Sequence, residues 1–160
     1  MLKKEYLLVV ATVLFFFCST AQKKKEIKKH GIKTISSTKT IGLKTVKDER
    51  LSFNSEGLLI EEVRYNEEGV LSSMSRYKYN YEGNVIEQLD YDEKSLLFER
   101  KVLKYNDISQ KTVELVFDKN GKQIRKTIYS YNYKGLRTEK KTFDANNNLI
   151  ATKKLVYSFK

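Results

Sequence analysis

His30 and Cys18 are the only histidine and the only cysteine among the 160 residues. One thiol cannot build a disulfide framework or a cysteine-based zinc site. One imidazole, set in the lysine-rich stretch Lys23–Lys33, argues against a Ser–His–Asp relay. Three adjacent carboxylate pairs could do acid–base work: Glu61–Glu62, Glu67–Glu68 and Asp92–Glu93. Neighbouring residues of a strand point to opposite faces, so Glu61 and Glu62 cannot converge on one substrate. The other two pairs sit where the sequence predicts turn tips, in water. A series of Asx residues (Asn54, Asn66, Asp92, Asp118, Asp144) supplies one oxygen donor per turn, whereas calcium takes roughly six to eight oxygens. No glycine-rich phosphate loop and no nucleophile elbow is present. The expectation is no catalytic residue, no cofactor and no metal.

The remaining chemistry is cationic. After the first 21 residues the chain carries 29 Lys and Arg against 19 Asp and Glu, unevenly spread. Residues 22–47 hold nine lysines and one glutamate, residues 48–100 have a net charge of −7, and residues 101–160 a net charge of +9. Lys111, Lys122, Arg125, Lys126, Arg137, Lys140 and Lys141 are interleaved with tyrosines in that last block. Such a surface is a candidate for an anionic partner: an acidic glycan, lipopolysaccharide or nucleic acid. The alternative is that these cations are solvated and guard a sheet against edge pairing.

The elements that position these residues are read from a repeat. An aromatic residue followed by Asx recurs at 53, 65, 79, 91, 105, 117, 131 and 143, with a last aromatic at Tyr157, and the gaps alternate between 12 and 14 residues. Glycine follows Asx by three residues in five copies: Asn54 with Gly57, Asn66 with Gly69, Asn80 with Gly83, Asp118 with Gly121 and Asn132 with Gly135. Ser95, Ser109 and Asn147 take the glycine slot in the other three. Asx bonds the backbone two residues on and glycine accepts positive φ, so each motif reads as a type I turn with a G1 bulge. The segments between turns are rich in β-branched and aromatic residues. The sequence therefore predicts an all-β fold: an antiparallel β-meander of about nine or ten strands built from 12/14-residue hairpin repeats, forming a twisted open or curled single sheet.

Turn geometry also sets register. Each aromatic should face the residue six positions on, giving Phe53–Leu59, Tyr65–Leu71, Tyr79–Val85, Tyr91–Leu97, Tyr105–Lys111, Phe117–Gln123, Tyr131–Arg137 and Phe143–Leu149. Because every gap is even, all nine aromatics are expected on one face, the more buried one. The other face then carries an apolar stripe of Met74, Phe98, Val102, Ile124 and Ile128, a candidate surface for self-association.

The N-terminus reads differently. Lys3 and Lys4 precede Leu7–Phe17, an apolar run of 11 residues broken only by Thr12. That is too short for a hydrocarbon core needing roughly 20 helical residues. Ser19-Thr20-Ala21 offers a signal-peptide cleavage site, giving a signal peptide over 1–21, a flexible basic leader over 22–31 and a β-repeat domain over 32–160. Lipidation at Cys18 is disfavoured by the bulky Phe17 before it.

The repeated Tyr/Phe-Asx-x-x-Gly punctuation from Phe53 to Tyr157 resembles the YD repeats of the RHS family and the shorter hairpin repeats of MORN-like proteins. The resemblance implies a hairpin-repeat fold and a surface or secreted setting. It implies no activity, since the family's toxin domain and self-cleaving core have no counterpart in these residues. The leading expectation is an exported, non-enzymatic binding or scaffold protein of the bacterial cell envelope, in the periplasm, at the cell surface or secreted. The alternatives are a basic module for an anionic polymer and an immunity or antitoxin-like partner protein.

Overall fold

The computed structural model describes residues 20–159. The expected signal sequence and Cys18 lie outside the described residues. One helix, α1 (Thr20–Lys29), precedes ten strands: β1 (Thr34–Ile41), β2 (Lys44–Phe53), β3 (Leu59–Tyr65), β4 (Leu71–Tyr79), β5 (Val85–Tyr91), β6 (Leu97–Tyr105), β7 (Lys111–Asp118), β8 (Gln123–Tyr131), β9 (Arg137–Asp144) and β10 (Leu149–Lys154). They form a single antiparallel sheet in chain order, with β1 and β10 as its two edges. The all-β meander is thus observed, and all eight aromatic pairs occur in the register given by the turns.

The turns are made by side chains. At Asn54 the backbone N–H donates to Leu58 O, Gly57 N–H donates to Asn54 O, and Asn54 Oδ1 accepts from the N–H of Glu56 and of Leu58. The backbone pair recurs at all eight turns. One Asx oxygen therefore satisfies two loop donors that would otherwise need water. Ser95, Ser109 and Asn147 adopt φ of 61°, 59° and 62° in the glycine slot. The register and the Asx cap hold the left-handed conformation even where the residue tolerates it less well.

The five turn glycines all have positive φ, as the turn motif requires, but their surroundings differ. Gly121 has open space around it, whereas Gly69 and Gly135 are also packed by neighbouring elements. A Cβ on Gly69 would meet the Val46 side chain of β2 at 3.4 Å. A Cβ on Gly135 would stand 3.0 Å from Gln110 Nε2, which donates to Gly135 O at 3.1 Å and so joins two neighbouring turns. These two contacts run between turns 25 residues apart or between turn and strand, so local turn chemistry does not announce them.

The expectation that every aromatic shares one face is corrected. Each hairpin carries, besides its turn bulge, a second register shift one pair further along. Ser52 faces Glu61 while Phe53 faces Leu59, so Ile60 is an extra residue. An extra residue reverses the alternation of side chains beyond it. The aromatics accordingly alternate faces. Phe53, Tyr79, Tyr105 and Tyr131 share one face with α1, here the helix-side face. Tyr65, Tyr91, Phe117 and Phe143 occupy the far face. Side-chain contacts agree: Lys47 stands 5.6 Å over the Tyr65 ring, Arg76 5.5 Å over Tyr91 and Arg100 5.4 Å over Phe117, each on the far face.

The repeat is therefore a 26-residue unit of two unlike halves. On its helix-side half, Tyr79, Tyr105, Tyr131 and Tyr157 donate their hydroxyls to the carbonyls of Leu59, Val85, Lys111 and Arg137, at 2.6–2.8 Å. Tyr79, Tyr105 and Tyr131 each tie the end of one strand to the start of the strand before it, and Tyr157, three residues beyond β10, does the same for the start of β9. Burial, and secondarily the nearby Tyr77, push the Tyr79 hydroxyl up to about 12. An acid raised in the folded state stabilises the fold below its unfolded value near 10, and that stability is lost as pH rises through about 12. The expected result is an alkaline loss of stability between about pH 10 and 12. Tyr79→Phe should cost about 1 kcal/mol at neutral pH and flatten that loss, as read from melts across the range.

The leader expected to be flexible is also corrected: Gln22–Lys29 belongs to α1. The helix ends in a Schellman closure, with Gly31 at φ 61°, Gly31 N–H donating to Lys28 O and Ile32 N–H donating to Ile27 O. Lys28 and Lys29 in the last turn favour the helix dipole. Ile27 is 3% exposed.

Candidate functional site

Two features of the helix-side face could engage a partner. The first is a cleft of about 440 Å³ beside α1, lined by Ile27, Leu51, Phe53, Leu59 and Tyr79 with Lys23 and Lys24 at its rim. The helix fills one side of it, so this cleft is in large part the seat of Ile27.

The second is a set of charged rows across β3–β10. In place of a second layer, long side chains lie along the sheet and cover it. Asp90, 7% exposed, accepts from Ser75 Oγ at 2.6 Å, Gln88 Nε2 at 2.8 Å and Lys101 Nζ at 2.7 Å. Burial alone would raise its pKa; the hydrogen bonds from Gln88, Lys101 and Ser75 outweigh that and hold it below the usual value. Glu99 contacts Lys101 at 3.1 Å and Arg125 at 3.8 Å, spanning β7 above Val116, which is fully buried. Further along, Glu114 accepts from Lys111 Nζ at 2.7 Å and from the Tyr129 hydroxyl at 3.2 Å. Burial would raise the Glu114 carboxyl, but these partners hold it below its usual value. The Arg137 guanidinium stacks 4.6 Å above Tyr129 and 5.9 Å from Tyr131.

The seven cations expected to line one surface are divided by the bulges. Lys111, Arg125, Arg137 and Lys140 lie on the helix-side face, Lys126 and Lys141 on the far face, and Lys122 in the β7–β8 turn. The apolar stripe is divided too. Met74, Val102 and Ile128 lie in the far face, while Phe98 and Ile124 are the extra residues of their bulges. Sequence reasoning missed Lys153, which stands directly opposite Lys140. Its register is fixed only once the shift beside Leu149 is known.

Among the described residues, no group of three or more His, Cys, Asp and Glu is arranged to hold a metal ion. Among the same residues, no helix is long and apolar enough to cross a membrane.

No family model and no curated protein matches the chain. Solved structures to which the chain is similar include TarM, at 14% identity and a TM-score of 0.33, covering 82% of this chain and 23% of that one. A protein of unknown function from Bacteroides fragilis is 17% identical with a TM-score of 0.39, covering 79% of this chain and 95% of that one. A TcdB2–TccC3–Cdc42 assembly is 11% identical with a TM-score of 0.31, covering 78% of this chain and 9% of that one.

Proposed function

We propose that this chain is an exported, non-enzymatic binding or scaffold module of the bacterial cell envelope. The observation that carries the reading is the open single sheet. Ten strands expose two broad faces and two edges, and the faces are laid with partnered charges and stacked rings rather than a closed core. The close carboxylates support the non-enzymatic part. Glu87, Asp90 and Glu114 are each held by a cation and pushed below their usual values, the opposite of a proton donor tuned towards neutrality. The sequence before Gln22 supports export. Cleavage after Ala21 would remove Thr20 and Ala21 from α1 and leave Ile27 in place.

Fractionation of cells producing the protein, followed by intact-mass measurement, tests this. The expected result is a chain beginning at Gln22 in the envelope fraction, retained there reversibly. A full-length chain in the cytosol, or a diacylated Cys18, would count against it.

A further inference from the structure

We infer that the helix-side face of β8–β10 is a binding site for an acidic polysaccharide, held by Lys140, Lys153 and Arg137 beside Tyr129 and Tyr131. The inference rests on the envelope reading above and names the ligand class and the residues.

The internal repeat supplies the argument. Lys140 and Lys153 are direct cross-strand partners on one face. Like charges directly opposed destabilise a sheet. The equivalent pair one 26-residue unit earlier is Glu114 opposite Thr127; before that it is Gln88 opposite Lys101, and first of all Glu62 opposite Ser75. Only the last unit opposes two cations. The position opposite the helix-side aromatics Phe53, Tyr79, Tyr105 and Tyr131 changes in the same direction, from Leu59 and Val85 to Lys111 and Arg137.

No ion pair among the described residues holds the group, although the Glu114 carboxylate, engaged by Lys111 and Tyr129, also feels the charge of Lys140. In this part of the sheet the ion pairs are Lys111–Glu114 and, on the other face, Lys141–Glu139. Lys140, Lys153 and Arg137 form none among the described residues. Arg137 is instead stacked on the 7%-exposed Tyr129, which fixes its guanidinium plane and leaves its donors to solvent. An anion lying across β9 and β10 relieves the repulsion and meets the guanidinium on the same face.

The shape selects a polymer. The row ends on the edge strand β10 at Lys153, and the segment after β10 flanks it only at Arg137, where Tyr157 donates to the carbonyl, so a single small anion is not enclosed. Neighbouring strands are spaced about 4.8 Å apart, so Tyr129, Lys140 and Lys153 form a track perpendicular to the strands. At the adjoining turn Tyr133 is 92% exposed with Lys134 Nζ 5.8 Å from its ring centre, so an aromatic surface and a further cation lie together in solvent. A chain of sugar acids or sulfated sugars presents anions and ring faces together, and an exported protein meets it in the envelope.

Binding of the full processed protein to heparin, to polygalacturonate and to single-stranded poly-dT tests the inference, at low and at physiological salt. The variants are Lys140→Gln/Lys153→Gln and, as a control of equal charge, the far-face pair Lys126→Gln/Lys141→Gln. At least one polysaccharide is expected to bind more tightly than poly-dT. The helix-side variant should weaken it about tenfold and flatten its salt dependence, and the far-face variant less than twofold. The helix-side variant should melt no lower than the parent protein, since a repulsion is removed. Equal weakening by both variants would reduce the effect to net charge and overturn the site. Tighter binding of poly-dT, lost in the helix-side variant, would overturn the ligand class. Failure of every polymer to bind an envelope-located, correctly processed protein would overturn this inference and leave the scaffold reading standing.

Discussion

Val116→Lys is expected to prevent folding or to lower the melting temperature by more than about 10 °C. Val116 is fully buried although the sheet has one layer. Its cross-strand neighbours are Lys101 and Arg125, and the Glu99 carboxylate bridges those two cations above it. A lysine there would place a third positive charge between two others, in a site closed to solvent and already filled by the valine. Breaking a buried ion pair by leaving a charge uncompensated costs roughly 3–5 kcal/mol, and whole domains are stable by only about 5–15 kcal/mol. Two controls make the result specific. Val116→Ala should cost about 2 kcal/mol from lost apolar contact alone. Val116→Asp should be milder than Val116→Lys, because Lys101 and Arg125 flank the new carboxylate. The equivalent position one unit earlier is indeed an aspartate, Asp90, satisfied by Lys101. Thermal melts of the three variants should rank them in that way. An equal loss for Asp and Lys would mean that volume, rather than charge, governs this site.

Gly57→Ala should remove α1 from the sheet. Gly57 has φ +72°, a conformation that costs an L-residue about 1–2 kcal/mol. Its added Cβ would lie 2.6 Å from Lys24 O and 3.1 Å from Lys28 N, both backbone atoms of the helix. Backbone cannot swing aside as a side chain does, so the helix must lift and expose Ile27. Losing that burial adds roughly 1.5–3 kcal/mol. Gly121→Ala is the comparison: φ is +80° and nothing lies within 4 Å of the new methyl. Both variants pay for the conformation, and only Gly57→Ala should also lose the helical signal in circular dichroism. Equal melts with the helix intact would show that α1 does not dock where Gly57 meets it.

The parts of this fold legible in the sequence are those written in local chemistry. Asx followed three residues later by Gly, Ser or Asn encodes a turn within five residues, so the nine strands β2–β10 and their eight aromatic pairs follow from counting, whereas β1 joins through a Gly42 turn without Asx. What a turn glycine touches is not encoded in that way: Gly69 and Gly135 carry the same motif as Gly121, yet only they meet Val46 and Gln110. The second shift in each hairpin is not local either. Ile60 is extra only with respect to Ser52, and no turn residue announces it. Counting parity along the chain therefore puts Tyr65 and Tyr79 on one face when they lie on opposite faces. The cationic cluster inherits that error: Lys140 and Lys141 look equivalent in sequence, yet one faces Lys153 and the other Thr152. The helix left a signal that lysine content obscured. Ile27, Gly31 and Ile32 have the spacing of a Schellman closure, with glycine at the left-handed position and apolar residues on either side of the stop.

The two-faced sheet stands or falls with the second bulge, and cross-strand Hα–Hα contacts measured by nuclear magnetic resonance report on it directly. The account predicts that Val102 meets Leu115 and that Val113 meets Ile128. Contacts of Val102 with Glu114 and of Val113 with Thr127 would mean an unbroken alternation. The aromatics of these hairpins would then share one face, and the same unbroken pairing in β9–β10 would set Lys140 opposite Thr152, so that the proposed binding row would not exist.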